Sequence, residues 1–434
     1  MNGPEASNVR IAASAAAKVR ARLVWPCALL LLLSSIDRAN VSFGALEMNK
    51  ALGLSAAEYG LGAGIFFIGY LAAQLPSVLL LERWGIKRWV LASALAWGLA
   101  ATAMAFVTNR DQFYALRVML GIAEAGLAPG VMLYLSRWSG DAGRASIVAI
   151  PLAAIPVSLV IGGPLSGLLL QMHNPLAIEG WRWMFLAEGL PAIALAILAA
   201  WYLPLAPADA AWLNPAERDW VTQAAASPAP ANRTDGRWGV VRNPFAWLCA
   251  GLWFCLLAGN YGVIFWLPQV VRGIAGVGPL EVGLIIALPW IANAAGIYLA
   301  SRHSDRSNER YLHIAIPCFV SAAALVGAFL VGGTALGLVL LVVLGGGLGC
   351  ALAPYWAIPF RLLSPPERAI GISLINLLGS ASGLVVPAAF GALRQSTGSF
   401  AVPAFALAAV VALAGLLALI ARAFDCRAGG QERQ

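Results

Sequence analysis

Apolar residues run along this chain in blocks of about twenty, separated by short polar breaks. The blocks fall at roughly 23–45, 59–81, 88–107, 113–136, 145–171, 183–203, 244–270, 280–302, 311–331, 334–360, 368–395 and 400–424. A block of that length crosses the ~30 Å hydrocarbon core of a bilayer as an α-helix, whereas the strands of a membrane barrel would alternate in polarity over about ten residues. The pattern therefore predicts an all-α membrane protein with twelve transmembrane helices. The first block follows an Ala-rich polar stretch with Arg10, Lys18, Arg20 and Arg22 and runs on through Asp37-Arg38-Ala39-Asn40 without a small-residue cleavage site. It reads as a first span and not as a cleaved signal.

Composition agrees. With 60% hydrophobic residues, 11% charged and a mean hydropathy of +0.79, the 434-residue chain is too apolar for a soluble globular protein. Of the 28 basic residues, 21 fall in the termini and loops on one side, five on the other (Lys50, Arg110, Arg182, Arg272, Arg394) and two within spans (Arg38, Arg117). The positive-inside rule then puts both termini in the cytoplasm, and the net charge of +8 follows from this asymmetry without a nucleic-acid partner. The cysteines, Cys27, Cys249, Cys255, Cys318, Cys350 and Cys426, show neither CxxC pairing nor metal-ligand spacing.

The longest break, 204–243, is rich in Pro, Ala and charge and separates six spans from six. Within it, Asn214-Pro215 followed by Glu217 has the form of an N-cap, a first-turn proline and a capping acid, which predicts a short helix on the cytoplasmic face. The expected organisation is a cytoplasmic tail 1–22, a six-helix bundle 23–203, a cytoplasmic linker 204–243, a second six-helix bundle 244–424 and a tail 425–434. The two halves repeat. Glu82-Arg83 recurs as Asp305-Arg306, Leu127-Ala128-Pro129 as Leu352-Ala353-Pro354, Arg137 and Arg144 as Arg361 and Arg368, and Pro164 as Pro387, at offsets of 223 to 225. Two pseudo-symmetric bundles with a site between them near the midplane is an arrangement of alternating-access transporters.

The stretch Phe113 to Ser136 carries Arg117 and Glu124 in its middle. Seven residues turn through about 700° on a helix, so both side chains leave within roughly 20° of one face, about 10.5 Å apart along the axis. A charge at the bilayer centre is costly, so the pair must face a polar interior. Two readings stand: a structural ion pair between helices, or a cavity in which Arg117 meets an anion and Glu124 carries a proton.

The loop Leu81-Glu82-Arg83-Trp84-Gly85-Ile86-Lys87-Arg88 resembles the loop 2–3 motif of the major facilitator superfamily, with Ser304-Asp305-Arg306 as a degenerate second copy. The glycine expected four positions before the acid is Val78, and the acid is Glu in place of Asp. Such charges are either solvated loops or a latch that holds the bundles in one state. Asp37-Arg38-Ala39-Asn40 resembles the Asp-Arg-x-Asn motif of the anion:cation symporter family within that superfamily. Met48-Asn49-Lys50 to Glu82-Arg83, Phe113 to Arg137, Ile161-Gly162-Gly163-Pro164-Leu165-Ser166-Gly167 and Trp181-Arg182-Trp183 are similar to its tartrate, phthalate and hydroxyphenylacetate permease branch.

The resemblance implies proton-coupled uptake of organic carboxylates. By position it implies that Asp37 and Glu124 carry protons, that Arg38 and Arg117 hold the substrate carboxylate, and that Tyr70, Trp356 and Asn376 line the pocket. The chemistry of the first four is consistent with this: a guanidinium fork matches a carboxylate, and a carboxylic acid in a low-dielectric cavity tends to keep its proton unless a cation faces it. Other readings stay open. Arg38 could snorkel to the surface, Tyr70 could be packing, and Asn376 needs a partner that is either a helix or a ligand; Asn260 and Asn293 are left aside on the same ground. Relatives that take polyhydroxylated acids often have Tyr two residues before the Asp and a polar side chain midway along span 5; here those places hold Ser35 and the apolar Ile155-Pro156-Val157, and the fewer hydroxyl partners favour a smaller or more apolar acid such as tartrate or an aromatic or dicarboxylic acid.

The expected function is thus a secondary active symporter of a small carboxylate in the cytoplasmic (inner) membrane, working as a monomer by alternating access. Anion exchange or facilitated diffusion is the alternative. No cofactor is implied, and an enzyme is not, because His173, His303 and His313 fall at span ends or in loops and form no cluster.

Overall fold

The computed structural model describes residues 4–138, 141–172, 176–225, 237–364 and 367–431. His173 lies outside the described residues, as do the side chains of Val78, Arg144 and Cys426. The described chain is helical: α1 (Pro4–Val19) passes through a π-turn at Arg20–Val24 into α2 (Trp25–Ala51), followed by α3 (Ala56–Trp84), α4 (Ile86–Ala103), α5 (Arg110–Glu124), α6 (Leu127–Ser136), α7 (Asp141–Gln171) and α8 (Gly180–Tyr202). After the linker helix α9 (Pro215–Ala225) come α10 (Pro244–Ala275), α11 (Pro279–Ser307), α12 (Leu312–Val331), α13 (Ala335–Tyr355), α14 (Ala357–Leu362), α15 (Arg368–Thr397) and α16 (Ala401–Gln431). Twelve spans in two six-helix bundles result, each span overlapping one predicted from the apolar blocks. The first and last helices run further than those blocks, one starting at Pro4 and the other continuing to Gln431.

Corresponding spans of the two halves are broken. The fourth consists of α5 and α6, interrupted at Ala125 and Gly126, and the tenth of α13 and α14, interrupted at Trp356. A proline ring clashes with the carbonyl four residues back, and Pro129 and Pro359 stand in that relation to Ala125 and Tyr355. The break in the first half comes directly after Glu124.

In the linker the predicted cap is present: Asn214 Oδ1 accepts from Glu217 N at 2.8 Å, and Glu217 Oε2 accepts from Asn214 N at 2.9 Å. The same carboxylate takes Lys18 Nζ at 2.7 Å and Ser14 Oγ at 2.6 Å, which fastens α1 to α9. Burial pulls this carboxyl up, but hydrogen bonds from Lys18, Ser14 and the Asn214 N–H outweigh it and hold it at about 2.

The bundles are bonded to each other at the end where α3 and α11 begin. There Ala57 N donates to Gln395 Oε1 at 3.1 Å, Tyr59 Oη to the Phe265 carbonyl at 2.8 Å, Gln171 Nε2 to Glu281 Oε2 at 3.3 Å and Arg272 Nη1 to the Leu46 carbonyl at 3.2 Å. Backbones touch as well, and a Cβ at Gly283 would run into the Gly163 carbonyl. At the opposite end, which carries both termini and the linker, Asp305 pairs at 2.7 Å with Arg310 of its own half, while Glu82, Arg83 and Arg306 are exposed. No ion pair joins the bundles among the described residues.

Candidate functional site

Between the bundles lies a chamber of about 210 Å³, walled by α2, α7, α10, α11 and α13. Arg38 of α2 is the one charged side chain among the described residues that line it. Its Nη2 and Nε donate to Glu124 Oε2 at 2.6 and 3.2 Å, and its Nη1 has no hydrogen-bond partner among the described residues. One edge of the guanidinium is thus spent on a fully buried carboxylate at the end of α5, while Arg38 itself stays 29% exposed to the chamber. The head sits 5.3 Å from the Phe66 ring centroid and 5.4 Å from that of Tyr70, so aromatic faces hold it in place and add cation–π attraction. This is a partly exposed fork with a free side, and that side fits a carboxylate. Of the two open readings of Arg38, an interior position holds and snorkelling does not.

Arg117 is placed differently from the expectation. It is 1% exposed and absent from the chamber wall; its Nε donates to the Gly62 carbonyl at 3.2 Å and its Nη2 to the Ala63 carbonyl at 3.0 Å, with its head 5.1 Å from the Phe66 ring centroid. The helical phase of Arg117 and Glu124 is as predicted, and both are buried. What the phase could not give is the distance to α3, which presses so close that a Cβ at Gly121 would strike the Phe66 carbonyl. Arg117 therefore meets helix backbone where an anion was expected.

Asp37 is buried beside Arg38 in sequence but faces away from it. Its Oδ1 accepts from Asn40 Nδ2 at 3.2 Å, and the same amide donates to Glu188 Oε2 of α8 at 2.8 Å. Ser166 Oγ donates to Glu188 Oε1 at 2.7 Å. Two carboxyl groups are thus linked through one amide, with no ion pair to either among the described residues.

Of the remaining expected pocket residues, Tyr70 borders the Arg38 head, whereas Trp356 packs 5.0 Å from Trp253 and 5.3 Å from Tyr355, off the chamber wall. Asn376 is exposed and does not line the chamber, so the buried partner demanded of it is not required. The wall instead holds Asn260, Asn293 and Tyr261, with the amides anchored to the Leu256 and Gly345 carbonyls at 3.0 and 3.1 Å. Ser35, Ile155 and Pro156, the places where the sequence departs from relatives that take polyhydroxylated acids, line it too. His303 Nδ1 and His313 Nε2 lie 2.6 Å apart, which corrects the reading of scattered histidines; the helix ends of α11 and α12 bring them together away from the chamber.

The comparisons with known proteins fall in the same place. A family model described as Major Facilitator Superfamily matches residues 27–387. A protein of Agrobacterium vitis named "Putative tartrate transporter" is 38% identical over 93% of this chain and 93% of its own length. The "Quinolone resistance transporter" of Acinetobacter baumannii is 33% identical over 91% of this chain and 92% of its own, and the "Inner membrane transport protein RhmT" of Escherichia coli 32% over 92% and 93%. Among solved structures, a bacterial homolog of the human lysosomal transporter Spinster in an inward-facing, occupied conformation superposes with a TM-score of 0.75 at 17% identity, covering 93% of this chain and 97% of that one. A D-xylose–proton symporter gives 0.73 at 14% identity over 92% and 96%. At such identities the likeness is one of fold.

Proposed function

This chain belongs to the major facilitator superfamily, and on that premise we propose that it takes up a small organic carboxylate together with protons across the cytoplasmic membrane by alternating access. The carrying observation is Arg38, which bonds Glu124 with one edge of its guanidinium and opens the other to the chamber. A substrate carboxylate on the open edge brings a second negative charge against Glu124, and the like charges favour a proton on the acid. Substrate and proton then help each other to bind, and by linkage the help is mutual. Supporting the substrate class are the tartrate named for one relative, the apolar wall at Ile155 and Pro156, and a chamber smaller than the roughly 300 Å³ at which drug-sized pockets begin.

With the termini in the cytoplasm, as the distribution of Lys and Arg favours, the bonded end faces outward and the chamber belongs to an inward-facing state. In that state the loop charges Glu82, Arg83, Asp305 and Arg306 make no ion pair across the bundles among the described residues, as a latch for the opposite state would not. Exchange or facilitated diffusion of the same anion would need Arg38 but not Glu124. The test is binding of labelled L-tartrate to purified protein. Arg38→Lys keeps the charge and loses the fork, so the dissociation constant should rise at least about tenfold, or ~1.4 kcal/mol. Unchanged affinity in that variant would remove Arg38 from recognition.

A further inference from the structure

Among the described residues, five acidic or basic side chains lie inside the N-terminal bundle: Asp37, Arg38, Arg117, Glu124 and Glu188. Two are cations and three are acids, so a bundle with every group ionised would hold one uncompensated negative charge in a medium where such a charge is costly. The cations are accounted for. Arg38 takes Glu124, and Arg117 sits on the Gly62 and Ala63 carbonyls. The surplus therefore falls on Asp37 and Glu188.

The groups facing this pair are few. Asn40 of α2 spends its amide nitrogen on both carboxyls, Ser166 of α7 donates to Glu188, the indole of Trp97 of α4 faces Asp37, and Glu124 of α5 is a further acid whose charge Asp37 feels. Two acceptors, Asp37 Oδ2 and Asn40 Oδ1, are buried without a completed hydrogen bond, as is the indole Nε1 of Trp97, the one further donor turned toward Asp37 among the described residues. An ionised carboxylate oxygen without a donor in such a place is heavily penalised, and a proton on the pair removes the charge and supplies a donor at once.

We infer that Asp37, Asn40, Glu188 and Ser166 form a proton-binding site, in which one proton is shared by the two carboxyls and reached from the substrate chamber. Asn40 and Ser166 line a void of about 20 Å³, enough for one water, whose wall shares Ala39, Leu159, Ile264 and Trp290 with the main chamber. With one proton on this pair, the five charges cancel in the empty protein. An incoming carboxylate is then balanced by a second proton on Glu124, so the two sites divide the work: one neutralises the resting bundle, the other answers the substrate. This division rests on the transport reading above; the proton site itself does not.

The test uses no substrate. Infrared difference spectra of the purified protein in lipid vesicles, taken between alkaline and neutral pH, should show the stretch of a protonated buried carboxyl. Glu188→Gln should abolish that band and Asp37→Asn should shift it. Ser166→Ala, which removes a donor from the ionised form, should leave the band and make it persist at more alkaline pH, and this arm decides the matter if Glu188→Gln fails to fold. A missing band, or one indifferent to these changes, overturns the site. So does removal of the band by sodium at fixed pH, which would make it a cation site. A protein that shows the expected bands but does not bind L-tartrate contradicts the proposed substrate and leaves the proton site standing.

Discussion

Arg117 and Arg38 are both interior arginines of the same bundle, and their neighbours give them different work. Arg117 has its fork closed by two carbonyls of α3. Charged hydrogen bonds of this kind each contribute about 1.5–3 kcal/mol, so Arg117→Lys should lower thermal stability by roughly 2 kcal/mol while leaving L-tartrate affinity within a few-fold. Melting of the purified protein with and without ligand measures both, and an affinity loss as large as that of Arg38→Lys would return Arg117 to the binding site. Spacing along the chain revealed that Arg117 and Glu124 share a helix face and must face a polar interior. Spacing along one helix says nothing of how near the next helix stands, and that distance decided between anion and backbone. Glu188 was visible by the same rule that singled out Glu124, an acid in the apolar run Leu186-Ala187-Glu188-Gly189-Leu190, but the arginine on its own helix, Arg182, stands six residues away, about 120° off its face, and so did not mark it. Asn260 and Asn293 were equally visible, and only the assembly of α10 and α11 around one chamber distinguishes them from Asn376.

Among the elements, those set by local chemistry were legible and those set by contact were not. The linker helix α9 follows from Asn214, Pro215 and Glu217 alone, yet its attachment to α1 through Lys18 and Ser14 joins residues about two hundred positions apart. Because Glu217 titrates at about 2 in the folded protein, below the ~4.3 of a free Glu, the attachment contributes fully at neutral pH and is lost as pH falls from about 4 through about 2. Hydrogen exchange of the Pro4–Val19 segment, corrected for the intrinsic effect of pH, should show protection falling over that window. Glu217→Gln should show weakened protection already at neutral pH; full protection there would mean that the ion pair does not hold α1. The interruptions of the fourth and tenth spans were not legible, because prolines also lie inside unbroken helices such as α7 and α10, and the alignment of one break with Glu124 came only from the fold.

For the whole molecule, twelve spans, two halves and an internal repeat were readable from the sequence because hydrophobic length and repeat offsets are one-dimensional. The state of the transporter was not, since it depends on which loops of the two halves meet. Here Ala57 meets Gln395 and Tyr59 meets the Phe265 carbonyl, and this end must part for the chamber to change sides. Cysteines at Ala57 and Gln395, joined by a short thiol cross-linker, should lower uptake at least about tenfold, with recovery on reduction; undiminished uptake by the linked protein would show that this end stays shut throughout. The central claim is that substrate on Arg38 drives a proton onto Glu124. Glu124→Gln imitates the protonated acid, and Arg38, partly hydrated in the chamber, can remain charged without its partner. The decisive measurement is uptake of labelled L-tartrate into proteoliposomes under an imposed pH gradient, set beside counterflow at equal pH. Glu124→Gln should keep counterflow and lose gradient-driven accumulation; accumulation that survives in this variant would contradict the account.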